Sequence, residues 1–130
     1  MHTSNALSPG AFCWLDLAAA DADRAKAFYA RLFGWSFHDQ RANGGTFTRL
    51  RSGGHDVGSL YALSARQIAH GVPSHWTPYV RVVDVDAAAA RAVDLGARLV
   101  IAPFEVEYTA RIALIEDAVG ALVGLWQSMP

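Results

Sequence analysis

Asp16 has the clearest chemical potential in the chain, because it is the single acidic residue of the apolar, strand-like run FCWLDLAAA. A carboxylate that folding removes from water carries a large free-energy cost unless it is paired or used. Burial raises the pKa of such a group and makes it a candidate general acid or base. The alternative is a structural salt bridge, with Arg81 or Arg111 as its partner. Both interpretations remain open from the sequence.

Arg81, Arg111 and Tyr79 are the candidate partners of a bound anion. A guanidinium group can clamp a carboxylate, phenolate or enolate oxygen through two hydrogen bonds. The Tyr79 hydroxyl could donate to a carbonyl oxygen. The competing interpretations are arginines exposed at a rim and a tyrosine that only packs. With Asp16 as the base, Arg81 or Tyr79 would hold the oxyanion that develops during the reaction.

The five histidines do not form a recognisable metal-binding motif, since none of the spacings H-x-H, H-x-x-x-H or H-E-x-x-H occurs. His38 lies on a predicted strand, where it could face a ligand and act as a proton shuttle. The other four are His2, His55, His70 and His75, which fall in the lead-in, a turn, the connector and a strand start. Glu107 is a further possible ligand in an unorthodox metal site with His38 or His75.

Composition limits the class of protein. The 130 residues predict one domain over 1–130, and a hydrophobic share of 52% excludes a disordered chain. A net charge of -1 with scattered basic residues argues against a nucleic-acid partner. No apolar run approaches the roughly 18 residues of a membrane span, so no membrane partner is expected. The absence of a secretory pattern in MHTSNALSPG and the lone Cys13 predict a cytoplasmic protein.

The two halves of the chain repeat one another at a distance of about 63 residues. FCWLDLAAA precedes a helix that begins at Asp21, and YVRVVDVD precedes one that begins at Asp84. Capping residues, apolar periodicity and glycine turns predict β-α-β-β-β in each half, at about 11–63 and 75–127. We therefore expect an α+β fold in which two βαβββ units form curved mixed sheets around a cavity. One helix can cover only one face of each sheet, which leaves the other face for a ligand.

The alternation of side chains along each strand predicts which residues occupy the helix-free faces. This face carries Trp14, Asp16, Ala18, Asp56, Gly58, Leu60, Thr77, Tyr79, Arg81, Leu122, Gly124 and Trp126. Aromatic walls with few polar groups are typical of a small-molecule site. Trp14 and Trp126 could stack on a planar ligand. Gly58 and Gly124 would leave volume for such a molecule.

The runs DADRAKAFYARLFGW (21–35), VDVDAAAARAVDLGA (83–97) and DAVGALVGLWQ (117–127) resemble the vicinal oxygen chelate superfamily, the glyoxalase, bleomycin-resistance and dioxygenase group. The likeness extends over about 11–127. It implies a homodimer and a divalent metal held from four strand positions. Here those positions fall on Trp14, Gly58, Thr77 and Gly124. Because a catalytic metal needs about three donor side chains, the sequence predicts that neither a metal nor another cofactor is bound.

Three hypotheses about function follow. The first is a metal-independent pocket protein that binds a planar hydrophobic metabolite or antibiotic, or performs elimination, isomerisation or cyclisation on it. The second is a metal-dependent lyase or dioxygenase with an atypical metal site. The third is an interaction or regulatory module without a small ligand. The sequence favours the first and does not name the ligand.

Overall fold

A computed structural model of the chain describes residues 8–129, so His2 and the rest of the predicted lead-in up to residue 7 lie outside the described residues. The strands are β1 (Phe12–Ala19), β2 (Ser36–Ala42), β3 (Gly45–Ser52), β4 (His55–Ala62), β5 (His75–Arg81), β6 (Arg98–Val106), β7 (Ala110–Glu116) and β8 (Leu122–Ser128). The described helices are α1 (Ala22–Phe33), α2 (Ala65–Ala69) and α3 (Val85–Asp94). The order β-α-β-β-β occurs twice, and the predicted α+β fold class is confirmed.

The chain divides into two compact units. The N-terminal unit is Leu15–Thr77, and its strands lie in the order β2-β3-β4-β1. The C-terminal unit comprises the described residues up to Trp14 and those from Pro78 onward, with the order β5-β8-β7-β6. In each unit the last strand returns parallel to the first, as β4 does to β1 and β8 to β5, while the remaining pairs are antiparallel.

Helix α1 covers one face of the N-terminal sheet. The Asp21 side chain accepts from the Arg24 backbone N–H at 3.0 Å and caps the helix, as predicted. Beneath it Leu17, Leu50 and Leu60 form a buried apolar cluster. Ala25 and Tyr29 of the helix pack on that cluster. Phe28 and Leu32 do not, since they are 58% and 57% exposed.

Helix α3 covers one face of the C-terminal sheet in the same way. Asp84 accepts from the Ala87 backbone N–H at 3.1 Å, which matches the cap of α1. Buried side chains of this helix and of the strands beneath it form the second cluster: Val85, Ala89, Ala113, Ile115 and Leu125. Leu60 and Leu125 therefore occupy equivalent places below the helices of their own units.

The two units differ in where the strand register shifts, which is between β3 and β4 in the N-terminal unit and at two places between β6 and β7 in the C-terminal unit. Between β3 and β4 the register shifts, because Leu50 pairs with Gly58 whereas Arg51 pairs with Asp56. Val57 is thus an extra residue on β4, which makes a β-bulge. After a bulge of one residue, every following side chain of the strand points to the face opposite to the one that simple alternation predicts.

The connector between the repeats contains a short helix that the sequence prediction missed. Ser64 caps α2, its hydroxyl accepting from the Gln67 backbone N–H at 3.1 Å. The Gln67 side chain accepts in return from the Ser64 backbone N–H at 2.9 Å. This reciprocal pair is a capping box, whose S-x-x-Q pattern is present in the sequence.

Candidate functional site

A row of polar side chains crosses the helix-free face of the N-terminal unit. Strand pairing brings His38 opposite Arg49, Arg49 opposite Ser59, and Ser59 opposite Asp16. Their neighbours along the strands, such as Leu17, point instead to the helix side. Successive strands lie roughly 4.8 Å apart, so His38 stands about 14 Å from Asp16 along this row. The structure therefore places the predicted proton shuttle on the predicted face but away from the predicted base.

Asp16 is held in a specific local environment. The Ser59 hydroxyl donates to Asp16 Oδ1 at 2.8 Å. Burial raises the pKa of Asp16 to about 6, and the hydrogen bond from Ser59 and the nearby His75 oppose that rise. His75 is itself oriented, because its Nδ1 lies 2.8 Å from the Pro73 carbonyl oxygen. A carboxyl group with a pKa near neutrality can exchange a proton readily with a substrate.

Arg49, the next member of the row, is engaged in its own network. Its Nη1 lies 2.9 Å from Asp56 Oδ2, and its Nε donates to the Gln40 side chain. Arg51 also reaches Asp56, with Nε 3.1 Å from Oδ1. Asp56 therefore pairs with both arginines, whereas the Asp16 carboxylate accepts from the Ser59 hydroxyl.

The predicted positions of Gly58 and Leu60 on this face are wrong. Leu60 lies in the buried cluster below α1, and a Cβ added at Gly58 would meet Leu50 Cδ1 at 3.2 Å on that same side. The bulge at Val57 is the cause. It moves Ser59 and Tyr61 onto the helix-free face, and sequence reasoning missed both. Glycine inside a strand is a known signal of a bulge, and Gly58 could have revealed it.

Aromatic side chains dominate the helix-free face of the C-terminal unit. The rings of Trp14 and Trp126 stack with centroids 5.0 Å apart, and Tyr79 meets Trp126 edge-on at 6.0 Å. These three predicted site residues are brought together. The apolar surface continues over β7 and β6, where Ile112 pairs with both Trp126 and Phe104.

Gly124 leaves no volume for a ligand, contrary to the sequence prediction. It pairs with Tyr79, and a Cβ added there would lie 2.2 Å from two atoms of the Tyr79 ring. Tyr79 is accordingly buried, with 7% of its surface exposed. The absence of a side chain at Gly124 therefore accommodates Tyr79. Leu122, the residue predicted beside Gly124, remains more than one-third exposed at the start of β8.

The two candidate anion clamps have partners within the C-terminal unit. Arg81 Nη1 donates to the Ser128 hydroxyl at 2.7 Å. Arg111 forms two hydrogen bonds with Asp86 of α3, at 2.8 and 2.9 Å. Arg111 pairs with Gln127, so it lies on the helix side of the sheet, opposite to Trp126. Its placement is that of a surface ion pair.

The side chains at the four positions from which the family holds a divalent metal are not suited to bind one here. Trp14 offers an indole ring, Gly124 has no side chain, and Thr77 is a buried hydroxyl. In the first unit the bulge places Ser59, and not Gly58, at the position equivalent to Gly124. Its hydroxyl donates to Asp16. Within residues 8–129 no three His, Cys, Asp or Glu side chains form a group that could hold a metal.

None of the helices in the described part of the chain is long and apolar enough to cross a membrane. The longest, α1, has 12 residues.

Comparison with curated proteins finds relatives that are longer than this chain. CFP32 of Mycobacterium tuberculosis, provisionally named a glyoxylase, is 33% identical over an alignment 117 residues long, which covers 88% of this chain and 44% of CFP32. The anthracycline biosynthesis protein DnrV of Streptomyces peucetius is 31% identical over an alignment 133 residues long, which covers 92% of this chain and 48% of DnrV. The chain thus spans about half the length of the curated relatives it matches.

Solved structures share the fold. Methylmalonyl-CoA epimerase of Mycobacterium tuberculosis superposes with a TM-score of 0.68 at 25% identity, covering 93% of this chain and 89% of that one. The Streptomyces coelicolor epimerase in complex with 2-nitronate-propionyl-CoA gives 0.65 at 22% identity, covering 95% of this chain and all of that one. The sequence profile of a known superfamily also matches residues 11–125. The chain therefore belongs to the glyoxalase/bleomycin resistance protein/dioxygenase superfamily, the vicinal oxygen chelate fold.

Proposed function

We propose that this chain binds a small planar hydrophobic metabolite or antibiotic and performs metal-independent acid–base chemistry on it, such as elimination, isomerisation or cyclisation. Asp16 is the general base. The observation that carries the proposal is the half-buried Asp16 carboxyl, held by Ser59, whose pKa is raised to about 6. A base is most effective when its pKa lies near the working pH, because it is then ionised yet still binds a proton well.

The aromatic side chains support the planar, hydrophobic character of the ligand. Trp14, Tyr79 and Trp126 cluster through ring contacts in the C-terminal unit. The similarity to a protein named for anthracycline biosynthesis supports a substrate from secondary metabolism.

The chemistry proposed does not pass through a metal. Trp14, Ser59, Thr77 and Gly124 do not provide a donor set for the divalent ion that the family implies. No observation in the described part of the chain favours the alternative of a glyoxalase-type lyase or dioxygenase with an atypical metal site.

The substitution Asp16→Asn tests the proposal. Flat aromatic compounds (naphthoquinones, anthraquinones and flavonoids) are titrated into the protein while its tryptophan fluorescence is followed. Each compound that binds is then incubated with the protein, and the mixture is analysed for products by mass spectrometry. Loss of the base should lower turnover by about 10²- to 10⁴-fold and leave the binding constant nearly unchanged. Asp23→Asn, at an exposed position in the first turn of α1, is the matched control.

Three results distinguish the possibilities. Turnover that survives in Asp16→Asn would remove Asp16 as the base. Binding without any product in the unmodified chain would favour sequestration of the ligand over catalysis. Unchanged fluorescence across all compounds would favour an interaction module.

We also propose a homodimer in the cytoplasm. Phe28 and Leu32, exposed on α1, give apolar surface to a partner subunit, and the lone Cys13 fits a reducing compartment. Light scattering after gel filtration measures the mass of the assembly, and cell fractionation shows the compartment that contains the protein.

A further inference from the structure

Tyr61 lies beside Asp16 on the helix-free face of the N-terminal unit. Tyr61 pairs with Ala18, two residues beyond the pairing of Ser59 with Asp16. Because side chains two residues apart share a face, Tyr61, Ser59, Asp16 and Ala18 form one rectangle on the sheet. Strand spacing and rise place the Tyr61 and Asp16 backbones about 8 Å apart on its diagonal, within reach of a tyrosine side chain.

The two groups differ in what they can do at neutral pH. Burial and the negative charge of Asp16 both raise the pKa of the Tyr61 phenol. The phenol thus stays protonated and available as a hydrogen-bond donor. Asp16, with a pKa of about 6, is largely ionised and available as a base.

We infer that Tyr61 is a second catalytic group of this site, which donates a hydrogen bond to an oxyanion formed when Asp16 removes a proton, and that the substrate is an enolisable carbonyl compound. This inference rests on the proposed function, because it assigns a partner to the same base. A carboxylate base next to a neutral hydroxyl donor suits the removal of a proton from carbon beside a carbonyl group.

The step balances without any other reactant. An oxygen of Asp16 takes the proton from the α-carbon. The electron pair of the broken C–H bond becomes a carbon–carbon double bond, and the carbonyl π pair moves to oxygen, where the Tyr61 O–H donates to it. Return of the proton from Asp16 to carbon reverses the step, with no change of oxidation state.

The probe is 2-tetralone, a flat enolisable ketone, in D₂O with the whole chain, and proton NMR follows the exchange of its C1 hydrogens. We expect Asp16→Asn to reduce exchange to the buffer rate. Tyr61→Phe, which keeps the ring and removes only the donor, should slow exchange by about 100-fold, the usual effect of losing one oxyanion donor. Tyr108→Phe, at a highly exposed turn, is the control and should match the unmodified chain.

Three further measurements distinguish a structural role for Tyr61 from a catalytic one. Urea unfolding should show equal stability for Tyr61→Phe and the unmodified chain. 2-Naphthol, a phenol whose oxygen stands in for that of the enol, should bind more weakly to Tyr61→Phe than to the unmodified chain. Naphthalene, which has no oxygen, should bind equally well to both proteins. Titration of phenolate absorbance should reveal a step that Tyr61→Phe lacks, and this step should move to lower pH in Asp16→Asn.

Normal exchange by Tyr61→Phe together with loss in Asp16→Asn would overturn the role of Tyr61 and leave the proposed function standing. Exchange by the unmodified chain no faster than in buffer would overturn the assignment to enolisable carbonyl compounds. The separate titrations with aromatic compounds would then decide the proposed function by themselves. A Tyr61 titration that Asp16→Asn does not move would also overturn the inference, because the two groups would not be neighbours.

Discussion

The two units are alike on the sheet face that packs against the helix and differ on the helix-free face. Below α1 and α3 lie similar apolar clusters, with Leu60 and Leu125 in equivalent places. On the opposite faces, the N-terminal unit carries Asp16 and its polar row, while the C-terminal unit carries the rings around Trp126. In a duplicated architecture, the helix side is thus kept for stability, and the free face is the part that varies in chemistry.

The equivalence of the helix sides is tested by removing one leucine from each. Leu60→Ala and Leu125→Ala should each lower the free energy of unfolding by about 2–5 kcal/mol, because each leaves a cavity below a helix. Urea unfolding measures the loss in both variants, provided that the free energy of unfolding depends on urea concentration with the same slope in each. If Leu60→Ala cost as little as an exposed substitution such as Leu95→Ala, the assigned register after Val57 would be incorrect.

The polarity of the N-terminal face predicts an unusual dependence on pH. The folded chain raises the pKa of Asp16 from 3.8 to about 6, so it binds this proton more tightly than the unfolded chain does. The resulting stabilisation is complete below the ordinary pKa and is lost as the pH rises through about 6. Relative to Asp16→Asn, the unmodified chain should therefore lose about 3 kcal/mol between about pH 4 and pH 8.

Urea unfolding of both proteins across that range measures the difference. A difference independent of pH would show that Asp16 titrates normally and that the N-terminal face is not a desolvated site.

Each unit also contains one glycine that the packing requires. A Cβ at Gly58 would lie 2.2 Å from the Leu15 carbonyl oxygen, and one at Gly124 would lie equally close to the Tyr79 ring. Both Gly→Ala changes should cost about 1–3 kcal/mol. Gly58→Ala should cost more, because a backbone oxygen yields less than a ring.

Gly45→Ala is the control, since its Cβ would approach no atom closer than 3.9 Å. Thermal unfolding ranks the three variants. Equal melting temperatures for Gly124→Ala and Gly45→Ala would mean that Tyr79 does not pack on Gly124.

The smallest effect belongs to the helix side of the C-terminal unit. Hydrogen bonds from Arg111 lower the pKa of Asp86, so its contribution to stability is present above the ordinary pKa and is lost as the pH falls. This direction is opposite to that of Asp16. Asp86→Asn should change stability only slightly at neutral pH, and less in high salt, because the pair is exposed.

Urea unfolding at low and high salt checks this expectation. A dependence on pH with the same sign as that of Asp16 would contradict the pairing of Asp86 with Arg111.

The sequence predicted the fold because its signals are local and occur twice. Asp21 and Asp84 cap their helices as expected, and the glycine turns delimit the strands. The faces of β1 and β5 were also predicted correctly, since alternation holds along an unbroken strand.

The candidate site was predicted only in part, because it depends on pairing between strands. Asp16 was found from its type and its apolar neighbours. Ser59 and Tyr61 were missed, because alternation along β4 was continued through the bulge at Val57. Arg111 was counted as a candidate for its charge alone, and its partner Asp86 is 25 residues away along the chain. Contacts of this kind depend on the tertiary arrangement, which a single sequence does not supply.

The extra residue at Val57 has a consequence for how such a molecule diverges. Insertion of a single codon into one copy of a repeat exchanges the inner and outer side chains of the rest of a strand, which many separate substitutions would otherwise be needed to achieve. Conversely, a one-codon deletion at this position would turn Ser59 towards the helix and Leu60 away from it. Small changes of length in a hairpin are therefore an economical evolutionary route from a symmetric ancestor to two halves with different duties.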